Sequence, residues 1–185
     1  MRLFVAVELP EAARRGLADW LEAERGSFPR ASWVRAENLH LTLAFLGEVE
    51  AGRLPGLERA LREGLAGRPA FDAGTGAVGA FPERGPLRVI WIALEPEGEL
   101  AGLAGATRRA LDAHGVSFDA KPFRAHVTLA RARSPWPASW RERLADAAPP
   151  PQPLHVGSVC VVESELGPAG ARYRTRAAIP LEEAA

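Results

Sequence analysis

Apolar and polar positions change rhythm several times along the chain, and each change marks an element. The opening run Arg2-Leu3-Phe4-Val5-Ala6-Val7-Glu8 is a short strand-like alternation rather than a signal peptide, and it predicts a first strand over Leu3 to Leu9. Pro10 followed by Glu11-Ala12-Ala13 starts a helix, because proline suits a first turn and a carboxylate suits its positive end. That helix is expected to run to about Arg25, where Gly26 stops it. Trp33-Val34 reads as a short strand and Asn38 to Leu46 as a strong one closed by Gly47. A second helix is expected over roughly Leu54 to Leu65. Strands then follow over Ala70 to Phe81 and Leu87 to Leu94, separated by the turn-forming Pro82-Glu83-Arg84-Gly85-Pro86.

The second half repeats this order. Leu100, Leu103, Ala104, Thr107 and Leu111 recur at helical spacing and predict a helix over Glu97 to His114. Arg124 to Arg131 follows as a strand, Ser134-Pro135-Trp136-Pro137 as an irregular segment, and Ala138 to Ala147 as a short helix. Pro149-Pro150-Pro151-Gln152-Pro153 is a stiff surface connection, too short to be a partner-binding module. It leads into strands over His155 to Glu163 and Arg172 to Ile179. Helices mixed with strands expected to be antiparallel give an α+β fold. The 185 residues fit one domain, or one domain built as two lobes around a cleft.

The two halves also share a short pattern. Asn38-Leu39-His40-Leu41-Thr42-Leu43-Ala44-Phe45 returns as Arg124-Ala125-His126-Val127-Thr128-Leu129-Ala130-Arg131. Strand side chains alternate faces, so His40, Thr42 and Ala44 share one face while Leu39, Leu41 and Leu43 share an apolar one. His126, Thr128 and Ala130 repeat the arrangement, with Val127 and Leu129 behind them. Histidine trades protons near neutral pH, and threonine offers a hydroxyl on a stiff stem. Two such pairs facing each other across a cleft would grip one phosphate and supply both an acid and a base. A lone histidine in a strand is usually structural; two copies of one polar pair on two strands are harder to dismiss. A metal site is disfavoured, because catalytic zinc usually takes three protein ligands and no acidic residue sits at ligand spacing beside either histidine.

Composition narrows the setting. Hydrophobic residues make up 47% of the chain and charged residues 25%, as in ordinary globular proteins. The formal net charge is zero, so contact with nucleic acid is expected to be local, a grip on one end rather than a coat. The single cysteine, Cys160, excludes an internal disulfide and a clustered-cysteine zinc site. No stretch reaches the roughly 20 apolar residues that span a bilayer, so a cytoplasmic protein without membrane contact is expected. Arginine abounds while Lys121 is the only lysine, which fits a GC-rich genome.

His40-Leu41-Thr42-Leu43 and His126-Val127-Thr128-Leu129 resemble the paired HxTx signatures of the two-histidine (2H) phosphoesterase superfamily. Their flanks, with Arg2 to Val7 and Glu163-Ser164-Glu165-Leu166, resemble its RNA 2′,3′-cyclic phosphodiesterase or 2′-5′ RNA ligase branch over essentially the whole chain. The resemblance implies a single bilobed domain over residues 1–185, with pseudo-two-fold duplicated antiparallel sheets, outer helices and a central cleft. It implies hydrolysis of RNA 2′,3′-cyclic phosphate ends to 2′-phosphomonoesters. His40 would be the proton donor and His126 the proton acceptor, with Thr42 and Thr128 on the non-bridging oxygens and no cofactor. Phe45 and Arg131 would sandwich the terminal base, although an offset of five from each histidine needs a bulge or a strand end to reach the same face. Arg124 and Lys121 would add charge at the cleft mouth, and Ser164 and Glu165 would help shape it. The implied substrates are RNA 3′ ends, tRNA fragments among them, or small cyclic-phosphate nucleotides, acted on by a monomer. Two further readings stand beside this one: 2′-5′ ligation by the reverse chemistry, and a non-catalytic RNA-end binder. His114 reads as a helix-end residue, His155 as incidental, Trp20 as core, and Trp136 and Trp140 as partly buried.

Overall fold

The computed structural model describes residues 1–146, 148–168 and 170–183. The chain runs β1 (Arg2–Glu8), α1 (Glu11–Glu24), β2 (Ala31–Trp33), a 3-10 turn (Ala36–Asn38), β3 (His40–Glu48), a second 3-10 turn (Ala51–Arg53) and α2 (Leu54–Leu65). It continues through β4 (Phe71–Phe81), β5 (Leu87–Glu95), α3 (Glu97–Ala113), β6 (His126–Trp136), α4 (Trp140–Asp146), β7 (Pro153–Val156), β8 (Ser158–Gly167) and β9 (Gly170–Pro180). Among the described residues nine strands form one sheet in the order β7-β4-β5-β6-β3-β1-β8-β9, with β2 added beside β6. Every pairing between these strands is antiparallel.

This order is two four-stranded halves joined at their inner strands. The join is slight: among the described residues β3 meets β6 at the single pair Leu41 and Val127. Each inner strand is the partner of a strand that precedes it by one helix, β1-α1-β3 in one half and β5-α3-β6 in the other. The bilobed α+β architecture expected from the sequence is therefore present. The helices cover the sheet with the stripes their spacing dictates: Ala13, Leu17 and Leu21 from α1, Leu57 and Leu61 from α2, Leu100 through Leu111 from α3. Leu39, Leu41, Leu43, Val127 and Leu129 are all buried beneath them. A second, smaller apolar cluster of Phe4, Ala6, Cys160 and Val162, with Tyr173 against it, lies apart from that main core. No helix among the described residues is long and apolar enough to cross a membrane.

Several boundaries differ from the sequence expectation. Asn38 ends a 3-10 turn instead of opening β3, and its amide side chain donates to the Ala171 carbonyl at 2.9 Å. The strand also runs past Gly47, whose positive φ of 71° accommodates an irregularity where Leu3 pairs with Gly47 and Phe4 with Phe45. Ser134-Pro135-Trp136 is not irregular: β6 continues through it, Trp136 pairs with Leu87, and its buried indole donates to the Pro29 carbonyl at 2.8 Å. His155 to Glu163 is two strands, because residues before Gly157 pair with β4 in one half and residues after it pair with β1 in the other. The short helix is confined to Trp140–Asp146; Ala147, like Ala169, lies outside the described residues. After β9 the chain crosses back to the far half: Leu181 N–H donates to Gly157, and Glu182 exchanges backbone bonds with Arg68 and Ala70.

Candidate active site

The two inner strands carry the same irregularity at the same place. In β3, Thr42 pairs with Ala6 and Ala44 with Val5, which leaves Leu43 as an extra residue. In β6, Thr128 pairs with Trp91 and Ala130 with Ile90, which leaves Leu129 extra. Each bulge turns the strand over by one residue. Ala44 and Ala130 therefore go into the core, and Phe45 and Arg131 return to the exposed side with the histidines and threonines. Phe45 is 43% exposed, which excludes core packing as its role. Phe45, Arg131, Thr42, Thr128 and His126 line one cavity of about 250 Å³, with Arg108 and Lys121 at its border.

Each imidazole is fixed by the backbone two residues before it, just ahead of its strand. His40 Nδ1 lies 2.7 Å from the Asn38 carbonyl and His126 Nδ1 2.9 Å from the Arg124 carbonyl. A carbonyl only accepts, so Nδ1 carries the hydrogen in both rings and Nε2 is left for chemistry. His40 Nε2 is 3.0 Å from Thr42 Oγ1, an acceptor of that hydroxyl when neutral and a donor to it when protonated. Aromatic rings back both histidines. Phe4 and Tyr173 sit 4.7 and 5.2 Å from His40, and Phe81 and Trp91 sit 5.2 and 6.1 Å from His126.

The surroundings differ in charge. Burial is the largest influence on both histidines and pushes each below the ordinary imidazole value. At His40 this is opposed by the Asn38 carbonyl and by the negative charge of Glu8, its cross-strand neighbour, and reinforced by His126 and Arg131. At His126 the Arg124 carbonyl opposes it, while the Arg131 and Arg124 guanidiniums reinforce it. The position matching Glu8 in the second half is Ala93, which pairs with His126. Glu8 is held in place by the Thr175 hydroxyl.

Sequence reading missed Glu8, Phe4, Tyr173, Phe81 and Trp91 as neighbours of the histidines, since pairing across strands is not written in local pattern. The one available signal was Glu8, a carboxylate ending an otherwise apolar strand. Arg124 stands at the cleft, paired with Glu83 at 2.5 Å and lying over the Phe81 ring. Lys121 is paired with Asp119 at 2.8 Å. Ser164 and Glu165 pair with Tyr173 and Arg172 across β8 and β9, so Ser164 stands opposite the residue whose ring neighbours His40. Trp136 is core and Trp140 packs edge-on against Phe28, away from the histidines. His114 caps α3 through the Ala110 carbonyl. His155 is more than incidental: its two nitrogens meet Asp72 at 2.8 Å and Glu183 at 3.1 Å, which raises its pKa. The buried Cys160 thiol is pushed up to about 11 by burial and by Glu8, which makes it inert near neutrality.

The cavity thus brings His126, Thr42, Thr128 and Arg131 together, and His40, outside its lining, borders it through its bond to Thr42, an arrangement suited to acid–base work on a phosphate ester. The chain belongs to the 2′-5′ RNA ligase superfamily, which it matches over residues 3–168. Among its relatives, the RNA 2′,3′-cyclic phosphodiesterase of Thermotoga maritima is 31% identical over 94% of this chain and 92% of that one. The enzyme of the same name from Methanothermobacter thermautotrophicus is 32% identical over 94% and 95%. Among solved structures, a Thermus thermophilus protein superposes with a TM-score of 0.79 at 32% identity, covering 98% of both chains. Escherichia coli LigT bound to 3′-AMP gives 0.77 at 28% identity, covering 97% of each.

Proposed function

We propose that this protein hydrolyses 2′,3′-cyclic phosphates at RNA 3′ ends, or on small nucleotides, to 2′-phosphomonoesters without a metal. The observation that carries the reading is the pair of imidazoles with matched tautomers, of which only His40 has a carboxylate, Glu8, opposite it across the strands. Glu8 favours a proton on His40, and Arg124 and Arg131 disfavour one on His126. His126 Nε2 takes a proton from water as its oxygen attacks phosphorus. His40 Nε2–H gives its proton to the departing 3′-oxygen, so the P–O3′ bond breaks and the 2′ ester stays. Thr42 and Thr128 donate to the non-bridging oxygens as their charge grows. Phe45 and Arg131 hold the terminal base between a ring and a guanidinium.

A second reading, attack by a 5′-hydroxyl RNA end in place of water, is favoured by one feature. A groove of about 800 Å³ opens beside His126, walled by Phe81 and Trp91, and is roomy enough for a nucleoside. The test is a short RNA ending in a 2′,3′-cyclic phosphate, incubated with EDTA and wild type, His40→Ala or His126→Ala. Opening to the 2′-phosphate, abolished by either substitution, is expected. Opening to the 3′-phosphate reverses the acid and base assignments. Binding without turnover by the wild type refutes the hydrolase reading.

A further inference from the structure

A bulge has a structural cost that the two halves meet differently. The extra residue drops out of the ladder, so its carbonyl needs a donor from elsewhere. In β6 the donor is backbone: Val34 N–H, just beyond β2, bonds the Leu129 carbonyl at 2.9 Å, and β2 pairs alongside Arg131. In β3 the donor is a side chain. Arg108, on α3 of the opposite half, places Nε 3.0 Å from the Leu43 carbonyl.

Arg108 does more than satisfy that oxygen. Its other arm donates to the Lys121 carbonyl at 2.9 Å, and its guanidinium lies over the Phe118 ring, 5.8 Å from the centroid. It thus pins the segment between α3 and β6 against β3. Within that segment Asp119 N–H donates to the Phe45 carbonyl at 2.8 Å. The carbonyls of Leu43 and Phe45 are both fixed from across the lobe boundary, and these two residues flank the turn that exposes Phe45.

Resting on the cleft reading above, we infer that Arg108 is a positioning residue for Phe45, which sets affinity for the nucleobase rather than for the phosphate. A side-chain donor of this kind can be removed without touching the backbone, whereas its counterpart, Val34 N–H, is lost only to proline. Loss of Arg108 frees the bulge to relax and lets the Phe45 ring leave its place over the base. The phosphate, held by Thr42, Thr128 and the histidines, is bound as before.

The test compares two cyclic phosphates, 2′,3′-cyclic AMP and glycerol 1,2-cyclic phosphate, which has the five-membered ring but no base. Arg108→Met raises KM for the nucleotide about tenfold, the scale of one lost charge-assisted hydrogen bond, with kcat unchanged. Its kinetics on the base-free ester stay at the wild-type level. Phe45→Ala produces the same selective loss, and adding Arg108→Met to it produces no further one. Arg108→Lys keeps one charged donor, recovers part of the loss, and carries the same comparison if the methionine variant does not fold. A selective loss in Phe45→Ala with none in either Arg108 variant overturns this inference alone. Equal loss on both esters in the Arg108 variants, or additive losses in the double variant, also overturns it. No effect of Phe45→Ala overturns the base-binding reading beneath it.

Discussion

Replacing Glu8 by glutamine removes one charge beside His40 while keeping an oxygen to accept the Thr175 hydroxyl. Glu8 and His40 are a directly opposed cross-strand pair, which places the carboxylate about 6–7 Å from the ring, given the usual ~5 Å between paired Cβ atoms. At an effective dielectric of about 40, between surface and bulk water, that attraction is about 1 kcal/mol, or a factor of about five in the protonated fraction. If His40 is the acid, its donor form becomes scarcer wherever it is only partly protonated. The assay is kcat/KM for 2′,3′-cyclic AMP from pH 5 to 8.5. Wild type and variant should converge at the acid end, where both donors are protonated. They should separate to about fivefold as pH rises, the falling limb moving to lower pH. Ala93→Glu, the mirror substitution opposite His126, should instead move the rising limb to higher pH by favouring a proton on the base. A constant ratio at every pH would make Glu8 a scaffold residue. Movement of the rising limb in Glu8→Gln would exchange the acid and base roles.

Thr42→Val should lower kcat by about 10²-fold through loss of a donor to the developing charge, with Thr42→Ser retaining most of the rate; steady-state kinetics on the same nucleotide decides. Gly64 faces Ala110 where α2 meets α3, and a methyl there would lie 2.2 Å from the Ala110 Cβ. Gly64→Ala should therefore destabilise by about 1–2 kcal/mol despite its better helix propensity, and pairing it with Ala110→Gly should recover the urea midpoint. His40 and His126 have depressed pKa values in the folded state, so their stabilising contribution is full above the ordinary imidazole value. It is lost as pH falls below that value, because the unfolded chain takes up protons first. Thermal scans of the free protein from pH 5 to 7 should show a Tm change more favourable to high pH in wild type than in a His40→Gln/His126→Gln variant, the opposite contribution of His155 being kept in both.

Much of this site was legible along the chain because its logic is local. His40 with Thr42, and His126 with Thr128, depend only on strand alternation, and the leucines and valine behind them announce the buried face. The need for a bulge before Phe45 and Arg131 followed from the same parity, yet no residue marks it: Leu43-Ala44 and Leu129-Ala130 are ordinary strand pairs. Where strands end was harder. Pro135 argued against a strand, but β6 at that point needs no donor from it, and Trp136 beyond it is drawn into the core. The break at Gly157 reflects which partner each side finds, information that lies tens of residues away. Tyr173 and Arg108 were invisible for that reason too, and Glu8 showed only as a carboxylate ending an apolar run: each acts on a residue of another element.

The Leu41–Val127 pair joining the two halves has a mechanical consequence. His40 and Thr42 flank Leu41, and His126 and Thr128 flank Val127, so all four stand next to this join. Phe45 and Arg131 stand four residues out, about 13 Å along each strand. At that distance the halves are fastened a second time, by Arg108 and Asp119 reaching to the Leu43 and Phe45 carbonyls. The halves are thus riveted twice, between the two histidine–threonine pairs and again beside Phe45, so the side chains on these strands keep their spacing.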